Sequence, residues 1–391
     1  MTSQKKQIPK LDYGIVLTLM LMALVSLIAI YSAQASDQYL ANFALQQVMW
    51  YVIGTIVLIV VMQFDSDQLK KISWYLYGFG LLLLLGLAVA PITDFTPYRN
   101  GAQSWYVIPG LGQIQPSEFM KIFTIILIAK LIASHHLKFA DKTVQSDLWL
   151  LAKISFFIIL PVALIMEQPD LGTSLVFLSI YLGMIFVSGI TWKILLPFFS
   201  TIFLVGGTVL YLAIQHADLL AKVGVDQYQL ARIYSWLDPY SYSSNEGFQL
   251  VQSLLAIGSG QTLGKGIGNG EVYIPERHSD YIFSTIGEEF GFIGGSIVIS
   301  LFFLLIYQIT KTGLDTKNPF YSYICVGVIA MIAFHVFQNI GMTIQVVPIT
   351  GIPLPFISYG GSSLLGNMMA MGVILSIRYH YKKYMFASDN E

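Results

Sequence analysis

The apolar stretches of this sequence contain few ionisable side chains, and those few fall in patterns that could do chemistry. Asp280 closes PERHSD (275–280) at the threshold of a long apolar run. A carboxylate there can cap a helix, alone or with Ser279, and can equally be a titratable group at the edge of a polar cavity. Glu118 and Lys121 lie three residues apart on one helical face, where they either neutralise each other or line such a cavity. On a straight helix Glu288 and Glu289 would lie roughly 12 to 13.5 Å beyond Asp280 and about 80° and 180° around it. They cannot form a close carboxylate pair with it, and a structural role against polar groups of neighbouring spans is expected. Lys130 and Lys153 read as snorkelling side chains near span ends. His335, in FHVFQN, reads as a hydrogen-bonded core histidine, and His278 beside Asp280 does not specify a metal site.

Two motifs fail on inspection. SGQTLGKGIGNG (259–270) has Ser259 in place of the first glycine of a phosphate loop and Gly266 in place of its Ser or Thr, and Asn269 takes the last glycine of a dinucleotide pattern. The stretch is either a flexible, backbone-rich loop or one that meets a diphosphate through Lys265.

These residues must be positioned by elements that live in lipid. The 391 residues are 55% hydrophobic and 11% charged, with a mean hydropathy of +0.67, too apolar for an ordinary soluble domain. A net charge of −1 gives no basic surface for nucleic acid. The single cysteine, Cys325, excludes an internal disulfide and a thiolate zinc cluster. Apolar runs at 12–32, 46–63, 72–90, 117–134, 148–166, 171–188, 194–214, 281–308, 320–345 and 359–379 predict an all-α polytopic membrane protein of about ten spans, a single domain over 1–391.

Basic residues set the expected orientation. With the N-terminus inside, Lys5, Lys6, Lys10, Lys70, Lys71, Lys138, Lys142, Lys193, Lys311, Lys317, Arg378, Lys382 and Lys383 are cytoplasmic, against Arg99, Lys222, Arg232, Lys265 and Arg277 outside. Both termini are then cytoplasmic and the segments 91–116 and 215–280 extracytoplasmic. Within the second, FQLVQSLLAI (248–257) predicts a short amphipathic helix at the outer interface, with Phe248, Val251 and Leu255 on one face and Leu254 beside them. The first span follows Lys5 and Lys6 and precedes Ala33-Gln34-Ala35, a cleavage-like triplet. Its apolar run is too long for a signal core, so an uncleaved anchor is expected.

Five stretches, GAQSWYVIPGLGQIQPSEFMK (101–121), EQPDLGTSLV (167–176), LDPYSYSSNEGFQLVQSLLAIGSGQTLGKG (237–266), PERHSDYIFSTIGEEFGFIG (275–294) and PITGIPLPFISYGGSSL (348–364), resemble in order the SEDS family of shape, elongation, division and sporulation proteins. ERHSD and TGIPLPF are similar to its RodA branch. The resemblance implies a peptidoglycan glycosyltransferase of the bacterial plasma membrane that polymerises lipid II, the undecaprenyl-diphosphate-linked disaccharide-pentapeptide, into β-1,4 strands during elongation. It also implies a class B penicillin-binding protein, a transpeptidase, as partner within an elongation complex. The family's essential aspartate falls on Asp280, its Glu-Lys pair on Glu118 and Lys121, and its motif tryptophan on Trp105. Ser104 stands where many relatives have Arg.

Inverting transfer to an anomeric carbon bearing a diphosphate needs one base, for which Asp280 is the candidate, and cations for the leaving group. Lys121, Arg99, Arg232, Lys265, Arg277 or a divalent ion such as Mg²⁺ or Mn²⁺ could supply them, and no nucleotide is needed. A lipid II flippase, using the same charges to carry the headgroup across, is the alternative. It requires polar residues to continue to the inner leaflet, and Glu288 and Glu289 keep that reading open.

Overall fold

A computed structural model describes residues 11–34, 42–98, 101–110, 112–139, 141–216, 219, 227–243 and 247–380. Arg99, Lys222, the lysines at 5, 6, 10, 382 and 383, and Ala35 of the cleavage-like triplet lie outside the described residues.

Among the described residues, each of the ten apolar runs overlaps one long helix. The helices are α1 (Tyr13–Gln34), α2 (Phe43–Met62), α3 (Ser66–Val89), α4 (Pro116–Lys138), α5 (Val144–Met166), α6 (Leu171–Val187), α7 (Trp192–Gln215), α10 (Ile282–Asp315), α11 (Pro319–Thr343) and α12 (Gly361–Tyr379). The segment between α7 and α10 adds α8 (Gln227–Leu237) and α9 (Phe248–Gly260). Among the described residues seven helices, α1, α2, α3, α5, α7, α10 and α11, are long and apolar enough to cross a membrane. Outward-facing Leu17, Met20, Ile56, Tyr75, Leu82, Ile159, Phe203 and Phe303 supply the apolar surface a multi-pass protein turns to lipid.

Local chemistry sets the helix starts. Asp65 and Gln68 form a capping box on α3, as do Thr143 and Ser146 on α5. Asn42, Asp170 and Asn318 accept the first free N–H groups of α2, α6 and α11. Pro116 and Pro319 occupy first turns, where no N–H is missed.

The centre of the bundle is α4, α11 and α12. Helix α4 is buried without interruption from Met120 to Ala129, which is why its apolar residues run all around rather than along one face. It packs against α3, α5, α11 and α12, while α12 also packs on α2 and α11 on α6 and α10. Helix α7 is peripheral, with Leu195 and Ala213 its buried residues.

Two elements differ from the sequence reading. The 91–116 segment contains a small antiparallel hairpin, β1 (Tyr106–Ile108) with β2 (Gly112–Ile114), the one sheet among the described residues. Helix α9 forms as expected but does not present the expected face. Leu250, Val251, Ser253, Ala256 and Gly260 are buried against α10 and α11, and Leu255 is 52% exposed. Ser253 fixes this orientation, bonding Ser284 Oγ at 2.6 Å and donating to the Thr343 carbonyl at 2.7 Å.

The eighth expected span is not one straight helix. Gly291 has φ 62° and ψ −157°, so Ile282–Phe290 and Phe292–Asp315 follow different axes. Glu289 meets Ser32, near the end of α1, and Gln308 meets Thr18, near its start. The stretch that runs antiparallel along α1 therefore begins at the break. The preceding turns, with Glu288 and Glu289, belong to the end of the bundle where α1 finishes.

Candidate active site

Residues 348–360 connect α11 to α12 without regular structure, yet Ile349, Ile352, Leu354, Phe356 and Ile357 are buried. Irregular backbone buried in a protein is tolerated only where its polar groups find partners. They do here, almost carbonyl by carbonyl. Gln338 Nε2 donates to Pro348 O at 2.7 Å, and Arg232 Nη1 donates to Ile349 O and Thr350 O at 3.3 and 3.2 Å. Asn339 Nδ2 donates to Ile352 O at 2.8 Å, and His335 Nδ1 meets Pro353 O at 3.2 Å. Tyr51 donates to Phe356 O, Ser26 to Ile357 O at 2.8 Å and Gln47 to Ser358 O at 3.2 Å. Helix α8 is docked on the same connection by reciprocal bonds of 3.0 Å, Trp236 Nε1 to Gln345 O and Gln345 Nε2 to Trp236 O.

This scaffold holds the segment that carries Asp280. Its three consecutive carbonyls are each fixed: His278 O by the Tyr359 N–H at 2.9 Å, Ser279 O by Ser358 Oγ at 2.6 Å, and Asp280 O by Asn339 Nδ2 at 2.7 Å. His278 is stacked on Phe43 at 4.1 Å, its Nε2 3.8 Å from Glu276. Burial lowers the His278 pKa, with Glu276 opposing.

Asp280 itself is half-buried and does not cap α10, whose first turn has no side-chain cap. Burial pushes its pKa up to about 7, the repulsion of Glu276 adds to this, and Arg232 opposes it. Its Oδ2 lies beside Gly351 of the connection.

Glu118 and Lys121 pair as their spacing predicts, Oε2 to Nζ 2.9 Å, with both side chains almost fully buried. A third partner is added by the fold: His335 Nε2 is 3.2 Å from Lys121 Nζ, so the core histidine joins the pair to the Pro353 carbonyl. Trp105 is half-buried just ahead of β1, and Ser104 donates to the Gln168 carbonyl at 3.4 Å in the turn before α6. There Asp170 accepts from Gln115 Nε2 at 3.0 Å, which ties the hairpin end to the same region.

Two expected diphosphate cations are engaged elsewhere. Lys265 Nζ is 3.0 Å from both Glu271 and Glu288, and these hydrogen bonds, Glu271 first, raise its pKa against burial. Arg277 is buried between Glu288 and Glu289 at 3.5 and 3.7 Å. Glu288 Oε1 also accepts the N–H groups of Glu271 and Val272 at 2.8 and 3.1 Å, and Glu289 pairs with Ser32.

The glycine-rich stretch is neither a phosphate loop nor a loose loop. It is an interlock with the break in α10: Lys265 N and Gly266 N each donate at 3.0 Å to the Glu288 and Glu289 carbonyls that the break frees. A Cβ on Gly264, at φ +81°, would fall 2.2 Å from Glu289 O, so glycine is required there. Glu288 and Glu289 therefore have the structural role expected, but against this loop as much as against a span. Lys130 donates to Lys70 O at 2.5 Å and Lys153 lies 4.9 Å from the Trp149 ring, both half-buried.

Of the candidate cations described, Arg232 is the one brought to bear on Asp280. Among the described residues no group of three or more His, Cys, Asp or Glu side chains could hold a metal.

The site residues that the sequence reading passed over are Ser26, Gln47, Tyr51, Gln338, Asn339 and Ser358. Their signal was present as polar side chains inside apolar runs, and in α11 as polar residues within a turn or so of His335.

Known proteins resemble this chain over nearly its whole length. The FtsW/RodA/SpoVE family model, described as a cell cycle protein, matches residues 12–383. Stage V sporulation protein E of Bacillus subtilis is 34% identical over 95% of this chain and 98% of its own length. The peptidoglycan glycosyltransferase RodA of Treponema pallidum is 30% identical over 94% of this chain and 97% of its own. A chain in a solved peptidoglycan synthase complex, described as coordinating polymerization and crosslinking, superposes with a TM-score of 0.76 at 25% identity, over 94% of this chain and 97% of that one.

Proposed function

The chain belongs to the FtsW/RodA/SpoVE family of cell cycle proteins, and from that premise we propose that it is an inverting peptidoglycan glycosyltransferase with Asp280 as its general base. The acceptor is the sugar 4-hydroxyl and the donor a lipid-linked disaccharide diphosphate. As the hydroxyl oxygen attacks the anomeric carbon, its proton passes to the Asp280 carboxylate. The new C–O bond forms as the bond to the diphosphate breaks, and the electron pair leaves with the diphosphate. A base works best with a pKa near the working pH, and about 7 meets that condition.

The observation that carries the reading is the holding of Asp280. Three successive carbonyls are pinned while the carboxyl stays half-buried, neither capping a helix nor paired with a second carboxylate as a retaining enzyme would require. Glu276 raises the pKa of Asp280 but is turned toward Ser279 Oγ at 3.2 Å and toward His278. Among the described residues Arg232, which bears on Asp280, is the cation that would meet developing charge on the diphosphate. Lys121 acts indirectly, being enclosed by Glu118 and His335.

In this reading Asp280 faces the extracytoplasmic side, where the donor's sugars lie while its lipid tail stays in the bilayer. ERHSD and TGIPLPF support a role in elongation, with a class B penicillin-binding protein crosslinking the strands. The deciding assay is glycan synthesis from purified lipid II by the detergent-solubilised protein with that transpeptidase. Asp280→Asn should abolish polymer while the complex stays intact, and retained polymerisation excludes Asp280 as the base.

A further inference from the structure

We infer that His335 is a positioning residue for Asp280: Lys121 dictates which ring nitrogen carries the proton, and the ring then pins the turn against which the carboxyl rests. This deepens the reading of Asp280 as the base and rests on it.

The chemistry of the donors leaves one arrangement. A lysine ammonium has three donors and no acceptor. At 3.2 Å from Lys121 Nζ, His335 Nε2 must therefore accept, which places the ring proton on Nδ1. Nδ1 faces the Pro353 carbonyl at 3.2 Å, an acceptor with no proton of its own. The other tautomer would set donor against donor at Lys121 and lone pair against lone pair at Pro353. Lys121 thus acts as a selector, and Glu118, 2.9 Å away, allows its charge to be buried.

The geometry of α11 carries the effect onward. His335 and Asn339 are four residues apart and present one helical face. His335 holds Pro353 O while Asn339 holds Ile352 O, so one face fixes two successive carbonyls of the turn. The second donor of Asn339 takes Asp280 O, so the same face fixes the residue whose carboxyl the turn touches. Between these points stands Gly351, at φ +70°, packed beside Asp280 Oδ2. Releasing Pro353 leaves the 351–353 turn held by Asn339 and by Arg232 at Thr350, and frees its face toward the carboxyl.

Three substitutions separate the parts in the full-length protein with its transpeptidase. His335→Asn keeps a donor near the Nδ1 position, His335→Gln keeps an acceptor near Nε2, and His335→Ala keeps neither. With lipid II as substrate, the Asn variant is expected to retain kcat within about threefold. The Gln and Ala variants should lose about 10- to 100-fold in kcat with KM changed less than about twofold, the size of effect that small misplacement of a reacting group produces.

The pH profile distinguishes positioning from damage. In the Gln and Ala variants water reaches the carboxyl, so the acid limb moves to lower pH; a partly misfolded preparation loses amplitude and leaves the limb in place. Charged groups bearing on Asp280 are Glu276 on its own segment and Arg232 on α8, both untouched by these changes. Solid-state ¹⁵N spectra of histidine-labelled protein read the tautomer without any assay: Nδ1–H in the wild type, mixed forms in Lys121→Met. Wild-type kcat in His335→Ala, or an Nε2–H ring in the wild type, overturns the proposal. Asp280→Asn that still polymerises overturns the base assignment instead and leaves the spectra as they are.

Discussion

Gly351 stands where any Cβ would come within 3.2 Å of Asp280 Oδ2, at a φ of +70° that L side chains rarely adopt. The carboxyl thus owes its place to the absence of a side chain on a turn far away in sequence.

Gly351→Ala combines two costs. The left-handed backbone disfavours a Cβ by about 1–2 kcal/mol, and the Cβ crowds the carboxylate. We expect a modest loss of thermal stability and a fall in kcat of roughly 10- to 100-fold with little change in KM, since the reacting group is displaced but the substrate site is not. Steady-state polymerisation kinetics and a melting curve check the two effects separately. Full activity in Gly351→Ala would show that the carboxyl tolerates displacement.

The raised pKa of Asp280 has consequences for both rate and stability. As a base it must be ionised, so kcat/KM should rise with pH through an acid limb near 7, flat above it. Stability runs the other way. With a folded pKa of about 7 against an ordinary value of 3.8, the folded state holds a proton that the unfolded state has lost, so this group's contribution is fully present below about 4 and is lost as pH rises through 7. Asp280→Asn should therefore gain melting temperature over the wild type at pH 8, by roughly a few degrees, and show almost no gain below about pH 4, under the ordinary value. An equal difference at both values would show that Asp280 carries an ordinary, low pKa.

Lys265 and Arg277 separate structure from substrate contact. If Lys265 serves the interlock with Glu271 and Glu288, Lys265→Ala lowers the melting temperature and leaves KM for lipid II within about twofold. Arg277→Ala is the harsher change because it removes the buried cation of Glu289 and leaves Glu288 with Lys265 alone. We expect about 3–5 kcal/mol of destabilisation, the usual result of breaking a buried pair. A tenfold rise in KM for Lys265→Ala, with stability unchanged, would return it to the diphosphate.

Ten apolar runs were legible because each is long and carries its own signal, so each overlaps a long helix, although α3 starts at Ser66 rather than 72 and α10 runs on to Asp315 rather than 308. The same was true of Glu118 and Lys121, whose i, i+3 spacing is a local property. The break at Gly291 was hidden inside GFIGG, where glycine is compatible with a continuing apolar helix. Its cause is distant, since the freed carbonyls bond the 261–266 loop. The buried 348–360 connection was unreadable for the same reason: its partners Ser26, Gln47 and Tyr51 lie some 300 residues away. The carboxylate partners of Lys265 and Arg277 were not legible either, because charge alone does not say whether a cation meets a substrate or a neighbouring carboxylate.

The Glu118–Lys121 pair allows stability and activity to be uncoupled in one experiment. Lys121→Met leaves the Glu118 carboxylate buried without its cation and should destabilise strongly, whereas Glu118→Gln together with Lys121→Met removes both charges and should recover most of that loss. If mutual neutralisation were the pair's whole task, the double variant would recover polymerisation as well. Because Lys121 also donates to His335 Nε2, the double variant still lacks the group that selects the Nδ1–H ring. We therefore expect a melting temperature near that of the wild type with kcat still down about tenfold or more. Parallel recovery of both quantities would reduce the pair to packing, and recovery of neither would point to Lys121 touching the substrate directly.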